Sequence, residues 1–376
     1  MVDIPVFFNT SNITNMGRMF ASCENLNSVC NFNTSNVTNM YGMFDSCRNL
    51  NSVPNFDTSN VTYMYGMFER CVNLTTAPNL IFTNNVSAYG AFSDCSSLTD
   101  ISQLQFNASN KINTATAMFS GCSNLKNINF NRSANINTAY HMFYSCTNLT
   151  KVLNFGKVEN AAIMFNNCRN LTDVTEIKEI LNACNMFMNC IKLNNVSNFS
   201  FNSSSTSTAR VFNMFYNCTN LTTIVNFDTS NLQGMILMFT NSGLITAPNL
   251  NTSNVTSMAN MFRFCTKLVT GPNFDTSNVS GTGMMGMFYG CNNLVTVYQL
   301  NTSKITGMYQ TFAACNNLSD ASIQNIINML LNSNITSTYN KNIMNTNSSS
   351  PFIYSNIANT RYQNRWSELT AAGWTY

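Results

Sequence analysis

The chain has 376 residues, of which 44% are hydrophobic and only 9% charged; 18 basic and 15 acidic residues leave a net charge of +3. Charged residues make up about a quarter of an average domain, so asparagine, serine and threonine must carry the polar surface. No run of Lys or Arg offers the electrostatic footprint of a nucleic-acid binder. No stretch reaches the roughly 20 apolar residues that cross a bilayer, and the opening MVDIPVFFNTSN has neither the basic region nor the uninterrupted apolar region of a secretion signal.

Length alone suggests two or three domains, an expectation that yields to a strong internal period. A phenylalanine, usually preceded by methionine, recurs at Phe20, Phe44, Phe68, Phe92, Phe119, Phe143, Phe165, Phe187, Phe215, Phe239, Phe262, Phe288 and Phe312, thirteen units at spacings of 22 to 28 residues and most often 24. Three residues on stands a cysteine in twelve units, Ser242 being the exception, and six residues on a leucine, shifted to Leu244 in that same unit. Seven residues before the phenylalanine comes Ile13, Val37, Val61, Ile112, Ile136, Val158 and their equivalents, and four before it a methionine or alanine. The methionines give way to Ala88, Ala115, Ala139, Ala161 and Ala183 in the middle of the chain, which predicts an interior narrower there.

Apolar positions at seven, four and zero fit one face of a short helix, whereas the piece after the leucine, as in LNSVPNF (Leu50 to Phe56), alternates like a strand. Thr, Ser and Asn of the FDTSNVT segments suit turns, where their side chains bond nearby backbone groups. A second asparagine column (Asn25, Asn49, Asn73, Asn124, Asn148) predicts hydrogen-bonded ladders between stacked units. The expected fold is an α/β repeat solenoid over 1–318, a leucine-rich-repeat-like right-handed stack of about 13 short strand-turn-helix units. At the usual strand separation it would be a rod about 60 Å long, each unit burying its apolar face only against its neighbours.

The unit NFDTSNVTYMYGMFERCVNLTTAPNL (Asn55 to Leu80) resembles the BspA-type leucine-rich repeat surface proteins, whose shared pattern runs roughly FDTSNVTxMxxMFxxCxxLxxx, and the resemblance covers about 5 to 320. Such repeats occur in bacterial surface proteins, mycoplasma lipoproteins among them, in mucosal protozoa and in bacteriophage genomes. The resemblance implies a scaffold used for adhesion to host cells or matrix. Unlike the bacterial members, this sequence carries no lipoprotein or secretion signal at the front and no cell-wall sorting signal at the back. IPVFFNTSN enters the repeat without the cap that solenoids need, so a partner subunit is expected at that end.

After Leu318 the period stops. SDASIQNIINMLLNSN predicts a helix from an N-cap at Ser319 or Asp320, with Ile323, Ile326, Ile327, Leu330 and Leu331 on one face. A second helix is expected from about Thr360 to Ala372, ended by Gly373, with Trp366 and Leu369 inward. Residues 319–376 thus form a helical capping subdomain.

No nucleophile with a base and orienting acid, no carboxylate pair and no glycine-rich phosphate loop stands out, so no enzyme activity and no cofactor is expected. The cysteines, one per repeat, lack any CxxC pair and have a single histidine, His141, for company. They fit a column of small buried thiols better than a metal or disulfide set, with Cys30 and Cys184 the off-column candidates for local pairing. Asp57, Asp228 and Asp275 share one turn position but give way to Asn33 and Asn251 elsewhere, which argues against a calcium ladder. His141 reads as a surface residue. What remains is exposed tyrosine beside the core columns: Tyr41, Tyr63, Tyr65, Tyr89, Tyr140, Tyr144 and Tyr216 are the candidate contacts for a cell-surface protein or glycan, tyrosine offering apolar area with a hydrogen-bonding tip. The expected function is extracellular recognition or adhesion on a bacterial surface or a phage virion, without membrane insertion; the alternative is a structural spacer holding another adhesive domain.

Overall fold

The structure, a computed structural model, describes residues 9–83, 85–130, 134–202, 210–225, 227–336 and 363–374. It divides into two compact units, Met1–Asn202 and Ser203–Tyr376, each built from coils that stack in parallel as a β-solenoid.

The columns read from the sequence are the core. Val37, Met40, Phe44, Cys47 and Leu50 are all fully buried, and so are Val61, Met64, Phe68, Cys71 and Leu74 one coil on. From Phe20 to Phe187 successive rings stack with centroids 5.2–5.6 Å apart and planes within 12° of parallel. In the second unit the rings from Phe215 to Phe312 repeat this at 5.5–5.7 Å. Each ring is thus sandwiched by its neighbours, an arrangement worth about 0.5–1.5 kcal/mol per pair beyond the area buried.

The stretch around each phenylalanine is not the expected helix. Around Phe44 the N–H groups of Met40, Gly42, Phe44 and Ser46 donate to the carbonyls of Tyr63, Tyr65, Met67 and Glu69 one coil on, while those of Met43, Asp45 and Cys47 donate three residues back within the coil. Half the donors a helix would use are therefore spent between coils. The backbone explains why. The residue two before the phenylalanine and the one two after it both take positive φ, as at Gly42 (55°) and Ser46 (61°), Gly66 (55°) and Arg70 (59°), and Asn213 (55°) and Asn217 (60°). A left-handed residue every fourth position interrupts a right-handed helix before one turn is complete.

Regular strands lie in the first unit: β1 (Ile112–Thr114), β2 (Asn127–Asn129), β3 (Ala134–Thr138), β4 (Lys151–Leu153), β5 (Gly156–Asn160), β6 (Asp173–Thr175), β7 (Ile177–Lys178) and β8 (Asn195–Ser197). They form two parallel sheets, β1-β3-β5-β7 and β2-β4-β6-β8. The second sheet is the expected strand after the leucine, with Ile128, Val152, Val174 and Val196 pointing inward. The first sheet pairs Ile112 with Ile136 and Ile136 with Val158, the apolar residues that the sequence placed at the start of a helix. Elsewhere the same register continues as isolated parallel bridges, such as Asn15–Asn39–Tyr63–Ser87 and Thr246–Thr270–Thr296.

The turn residues close the coils. Thr34 and Thr58 are buried, and their hydroxyls donate to the carbonyls of Asp57 and Ile81 on the following coil. Asn36 and Asn60 donate backward from Nδ2 to the carbonyls of Ser11 and Ser35 at 2.7 Å. The predicted second asparagine ladder is present in looser form, Asn73 to Asn49 and Asn148 to Asn124, each at 3.4 Å.

After the last repeat, α1 (Asp320–Leu331) starts at the N-cap Ser319, whose hydroxyl accepts the Ser322 N–H. Ile323, Ile326, Ile327 and Leu330 are buried as expected; Leu331 is half-buried, and Met329 takes a buried place instead. The helix supplies bonds that a further coil would otherwise make: the Ser322 hydroxyl donates to the Val295 carbonyl at 2.8 Å and accepts the Val297 N–H at 2.9 Å, and Asn325 Nδ2 donates to the Val297 carbonyl at 2.8 Å. A second helix, α2, spans Gln363–Ala371, with Leu369 buried, Trp374 buried after it and Gly373 at φ 82°. Thr360, and the side chain of Trp366, lie outside the described residues.

Candidate functional site

Tyr41, Tyr65 and Tyr89, each three before a core phenylalanine, follow an inter-coil donor, and their own carbonyls are tied to the preceding coil. Arg18 N–H bonds the Tyr41 carbonyl, Gly42 the Tyr65 carbonyl and Gly66 the Tyr89 carbonyl, at 2.7–2.8 Å. Side chains at this position are therefore held one above another. Tyr41 and Tyr65 rings lie 5.1 Å apart, and those of Tyr65 and Tyr89 lie 4.8 Å apart and 5° from parallel. Each remains 38–40% exposed.

The Tyr65 and Tyr89 rings stack face to face, whereas the Tyr41 ring is tilted 46° to that of Tyr65. The guanidinium of Arg18 sits 6.0 Å from the Tyr41 ring centre, at cation–π distance. Burial first, then the neighbouring Tyr89, Glu69, Tyr41 and Asp45, push the Tyr65 phenol above its ordinary value. Arg70 stands on the same coils, 2.8 Å from Asp45 and 3.5 Å from Glu69. The surface thus combines aromatic side chains, hydroxyls and charges of both signs.

The other candidate tyrosines do not join this ladder. Tyr63 is 60% exposed and lies two residues before Tyr65. Tyr140 and Tyr144 are half-buried and flank His141, with ring centres 4.1 and 4.9 Å from the imidazole. His141 is correspondingly half-buried rather than a plain surface residue, and desolvation lowers its pKa. Tyr216 is half-buried in the second unit. That unit holds an aromatic cluster missed by sequence reasoning, in which the Arg263 guanidinium lies 4.9 Å from the Phe264 ring centre and 4.6 Å from that of Tyr289. Its signal was present, since Phe264 and Tyr289 flank core phenylalanines on consecutive coils.

The remaining polar columns are committed to the scaffold. All 14 cysteines are free, eleven of them buried, with Cys30 and Cys184 half-buried and Cys23 exposed. The thiols of Cys47, Cys71, Cys95 and Cys122 donate to the carbonyl of the preceding coil's phenylalanine at 3.0–3.1 Å. Burial pushes these thiols up, Cys47 to about 12, so they are neither thiolate nucleophiles nor ready metal ligands. The Asp57 carboxylate accepts the Ser59 N–H and hydroxyl at 3.0 and 2.6 Å, and Asn33 accepts the same pair from Ser35. That shared duty explains why Asp and Asn interchange there. Among the described residues no three His, Cys, Asp or Glu side chains gather to hold a metal ion, and no helix is long and apolar enough to cross a membrane.

The chain covers most of the length of several solved leucine-rich repeat proteins. A leucine-rich cell surface protein from Faecalibacterium prausnitzii is 15% identical, covering 89% of this chain and 90% of that one with a TM-score of 0.34. A leucine-rich repeat protein from Bacteroides ovatus is 15% identical over 79% and 91% with a TM-score of 0.28, and an internalin from Listeria monocytogenes is 14% identical over 89% and 82% with a TM-score of 0.30. At these scores the whole chains do not superpose closely. No curated protein sequence matches the chain. The pattern described as Mycoplasma protein of unknown function, DUF285, matches residues 3–104, 150–248, 210–326 and 244–349, and six copies of the BspA-type leucine-rich repeat region match 82–194. The protein is therefore a member of the DUF285 family, built on BspA-type leucine-rich repeats.

Proposed function

We propose that this protein is a non-enzymatic recognition module, displayed outside the cell on a bacterial surface or a phage virion, which binds a protein or glycan of another cell. The observation that carries the reading is the ladder of Tyr41, Tyr65 and Tyr89, three exposed aromatic side chains in ring contact on consecutive coils. Tyrosine is enriched in binding surfaces because it gives large contact area with few rotatable bonds. Here each ring already rests against its neighbour, which lowers the side-chain freedom lost on binding.

The test is capture of the labelled full chain by mucin glycans, animal matrix proteins and intact bacterial cells, beside a variant carrying Tyr41→Ser, Tyr65→Ser and Tyr89→Ser together. Loss of roughly tenfold or more in binding supports the reading. Animal ligands would identify a cell-borne adhesin and bacterial envelopes a virion component; unchanged capture by the variant would remove the ladder from the site.

The structural-spacer reading draws on a different observation. Ile13 and Met19 of the first described coil are 40% and 43% exposed, whereas their counterparts Val37 and Met43 are fully buried. A partner subunit docked on that coil would cover them, and α1 and α2 would act as the cap of the other end.

A further inference from the structure

Between two consecutive coils of the first unit the ladder after the leucine is interrupted, and a cleft opens there. The segment Asp100–Phe106 bonds only backward: Ala77 N–H donates to the Asp100 carbonyl, Gln105 N–H to the Leu80 carbonyl and Phe82 N–H to the Gln105 carbonyl. The next segment, Asn127–Phe130, bonds only forward, β2 pairing with β4 and Phe130 N–H donating to the Leu153 carbonyl. Among the described residues no backbone hydrogen bond joins the two segments, and β2 is the edge strand of its sheet. Between them lies a cavity of about 480 Å³, within the range of roughly 300–1,000 Å³ typical of small-ligand sites. The gap coincides with the step from Phe92 to Phe119, longer than the usual repeat.

The polar side chains that line it are aimed by their neighbours. Asn129 Oδ1 accepts from Asn154 Nδ2 at 2.9 Å, and Asn127 Oδ1 accepts from the Thr150 hydroxyl. Both amides therefore have their oxygens engaged and their NH₂ groups without a protein partner. Gln105 is held the other way round: its Nε2 donates to Asn79 Oδ1 at 2.8 Å, leaving Oε1 as an open acceptor. Asp100 uses Oδ1 on the Ser102 N–H at 2.8 Å, which leaves Oδ2 open. Two open amide donors and two open acceptors thus belong to residues that line one space, each held by bonds to adjacent coils and turns. Below them the aromatic edges of Phe106 and Phe130, ring centres 5.1 Å apart, supply a narrow apolar floor.

We propose that this cleft binds a neutral saccharide unit, a hexose or N-acetylhexosamine of a glycan. Paired donors and acceptors on rigid amides match vicinal hydroxyls, each of which both donates and accepts, and the apolar floor matches the C–H face of a pyranose. No Lys or Arg side chain is among the described lining residues, and the one carboxylate would repel sialylated or sulfated sugars. An extended peptide fits less well, because β2 offers an edge of only three residues.

The site stands apart from the tyrosine ladder: the ladder lies before the phenylalanine of its coils, the cleft after the leucine. Saturation-transfer NMR on the full chain, with galactose, mannose, N-acetylglucosamine, N-acetylgalactosamine, sialyllactose and a tripeptide mixture, tests it. The expected result is transfer to at least one neutral sugar. That transfer should be lost in Asn129→Asp, which keeps the acceptor used by Asn154 but removes the free NH₂, and in Ser102→Trp, which fills the space and spares the bonds between coils. It should persist in the triple tyrosine variant, so that failure of the ladder and failure of the cleft are read separately. Silence with every neutral sugar, signals surviving both cleft variants, loss in the tyrosine variant, or binding confined to sialyllactose or peptides would each overturn the proposal.

Discussion

The thiol of Cys47 donates to the main-chain carbonyl of Phe20, 3.0 Å away and 27 residues earlier in the chain. The same bond links Cys95 to Phe68 at 3.0 Å, so each thiol ties its own coil to the one before. Cys95→Ala is expected to cost about 0.5–1.5 kcal/mol for the lost bond, since the Phe68 carbonyl keeps the Cys71 N–H as a donor. Cys95→Ser keeps a donor and should cost less. A hydroxyl is already accommodated in this column at Ser242, where it contacts the Cys265 sulfur at 3.3 Å. Urea unfolding of the full chain measures the order; equal midpoints for the alanine variant and the parent would show that the bond does not matter.

The thiol column also sets an alkaline limit. Burial raises Cys47 from 9.0 to about 12 and Cys265 to about 11. Between the unfolded value and the folded one, only the unfolded chain releases its protons, so stability is full below pH 9 and falls as pH climbs toward 11–12. Thermal unfolding followed against pH should show that decline, and Cys265→Ser should make it shallower. A stability curve flat above pH 9 would contradict the assigned burial. Under mildly alkaline native conditions a thiol reagent should label Cys23, Cys30 and Cys184 and spare the eleven buried thiols.

Tyr65 should ionise later than an isolated phenol, because burial and then Tyr89, Glu69, Tyr41 and Asp45 all disfavour its anion. The difference between phenolate absorbance titrations of the parent and Tyr65→Phe isolates this group. Repeating the pair of titrations in Tyr89→Phe should bring Tyr65 back toward its ordinary value with the ring stack intact. An identical difference curve would mean that the two hydroxyls do not sense each other.

Backbone handedness gives a fourth expectation. Gly42 has φ 55° with the side chain of Arg18 as the nearest obstacle to a Cβ, at 3.4 Å. Gly42→Val should therefore destabilise chiefly through its left-handed backbone, by about 1–2 kcal/mol. Gly42→Asn should be close to neutral, because asparagine already occupies the equivalent place at Asn213 with φ 55°. Equal unfolding midpoints for valine and asparagine would show that φ is not the constraint.

The threonine turns give a fifth. Thr58 Oγ1 donates to the Ile81 carbonyl at 3.1 Å and accepts the Ile81 N–H at 2.8 Å. The near-isosteric Thr58→Val removes both bonds and should cost about 1–3 kcal/mol. Hydrogen exchange at Ile81 reads this locally, and an unchanged exchange rate would place its protection elsewhere.

The columns at Val37, Met40, Phe44, Cys47 and Leu50 were legible because burial against a neighbouring coil selects the same residue types every turn. The helix was misread for a related reason: spacings of seven, four and zero satisfy any backbone that returns those side chains inward. The distinguishing sign was weaker, a Gly or Asn recurring two before the phenylalanine at Gly42, Gly66, Gly90, Asn185, Asn213 and Asn260, residue types that tolerate positive φ. Arg18, Ile163 and Leu237 hold the same position with positive φ, which blurs the sign. For the candidate site, the sequence named Tyr41, Tyr65 and Tyr89 among seven tyrosines without separating them, because stacking depends on register between coils. The cleft beside β2 was illegible: what makes it is backbone pairing withheld, and that leaves no residue signature beyond a long repeat.

Two sets of turn asparagines have different fates in an ageing protein. At Asn9, Asn33, Asn251 and Asn301 the turn uses only the side-chain oxygen, which accepts the N–H of the serine two residues on. Spontaneous deamidation to aspartate would leave those turns closed, as Asp57 and Asp275 already close theirs. At Asn36, Asn60, Asn254 and Asn278 the working atom is the nitrogen, donating to a carbonyl one coil back. Loss of ammonia there would set a carboxylate against a carbonyl and loosen the seam between coils.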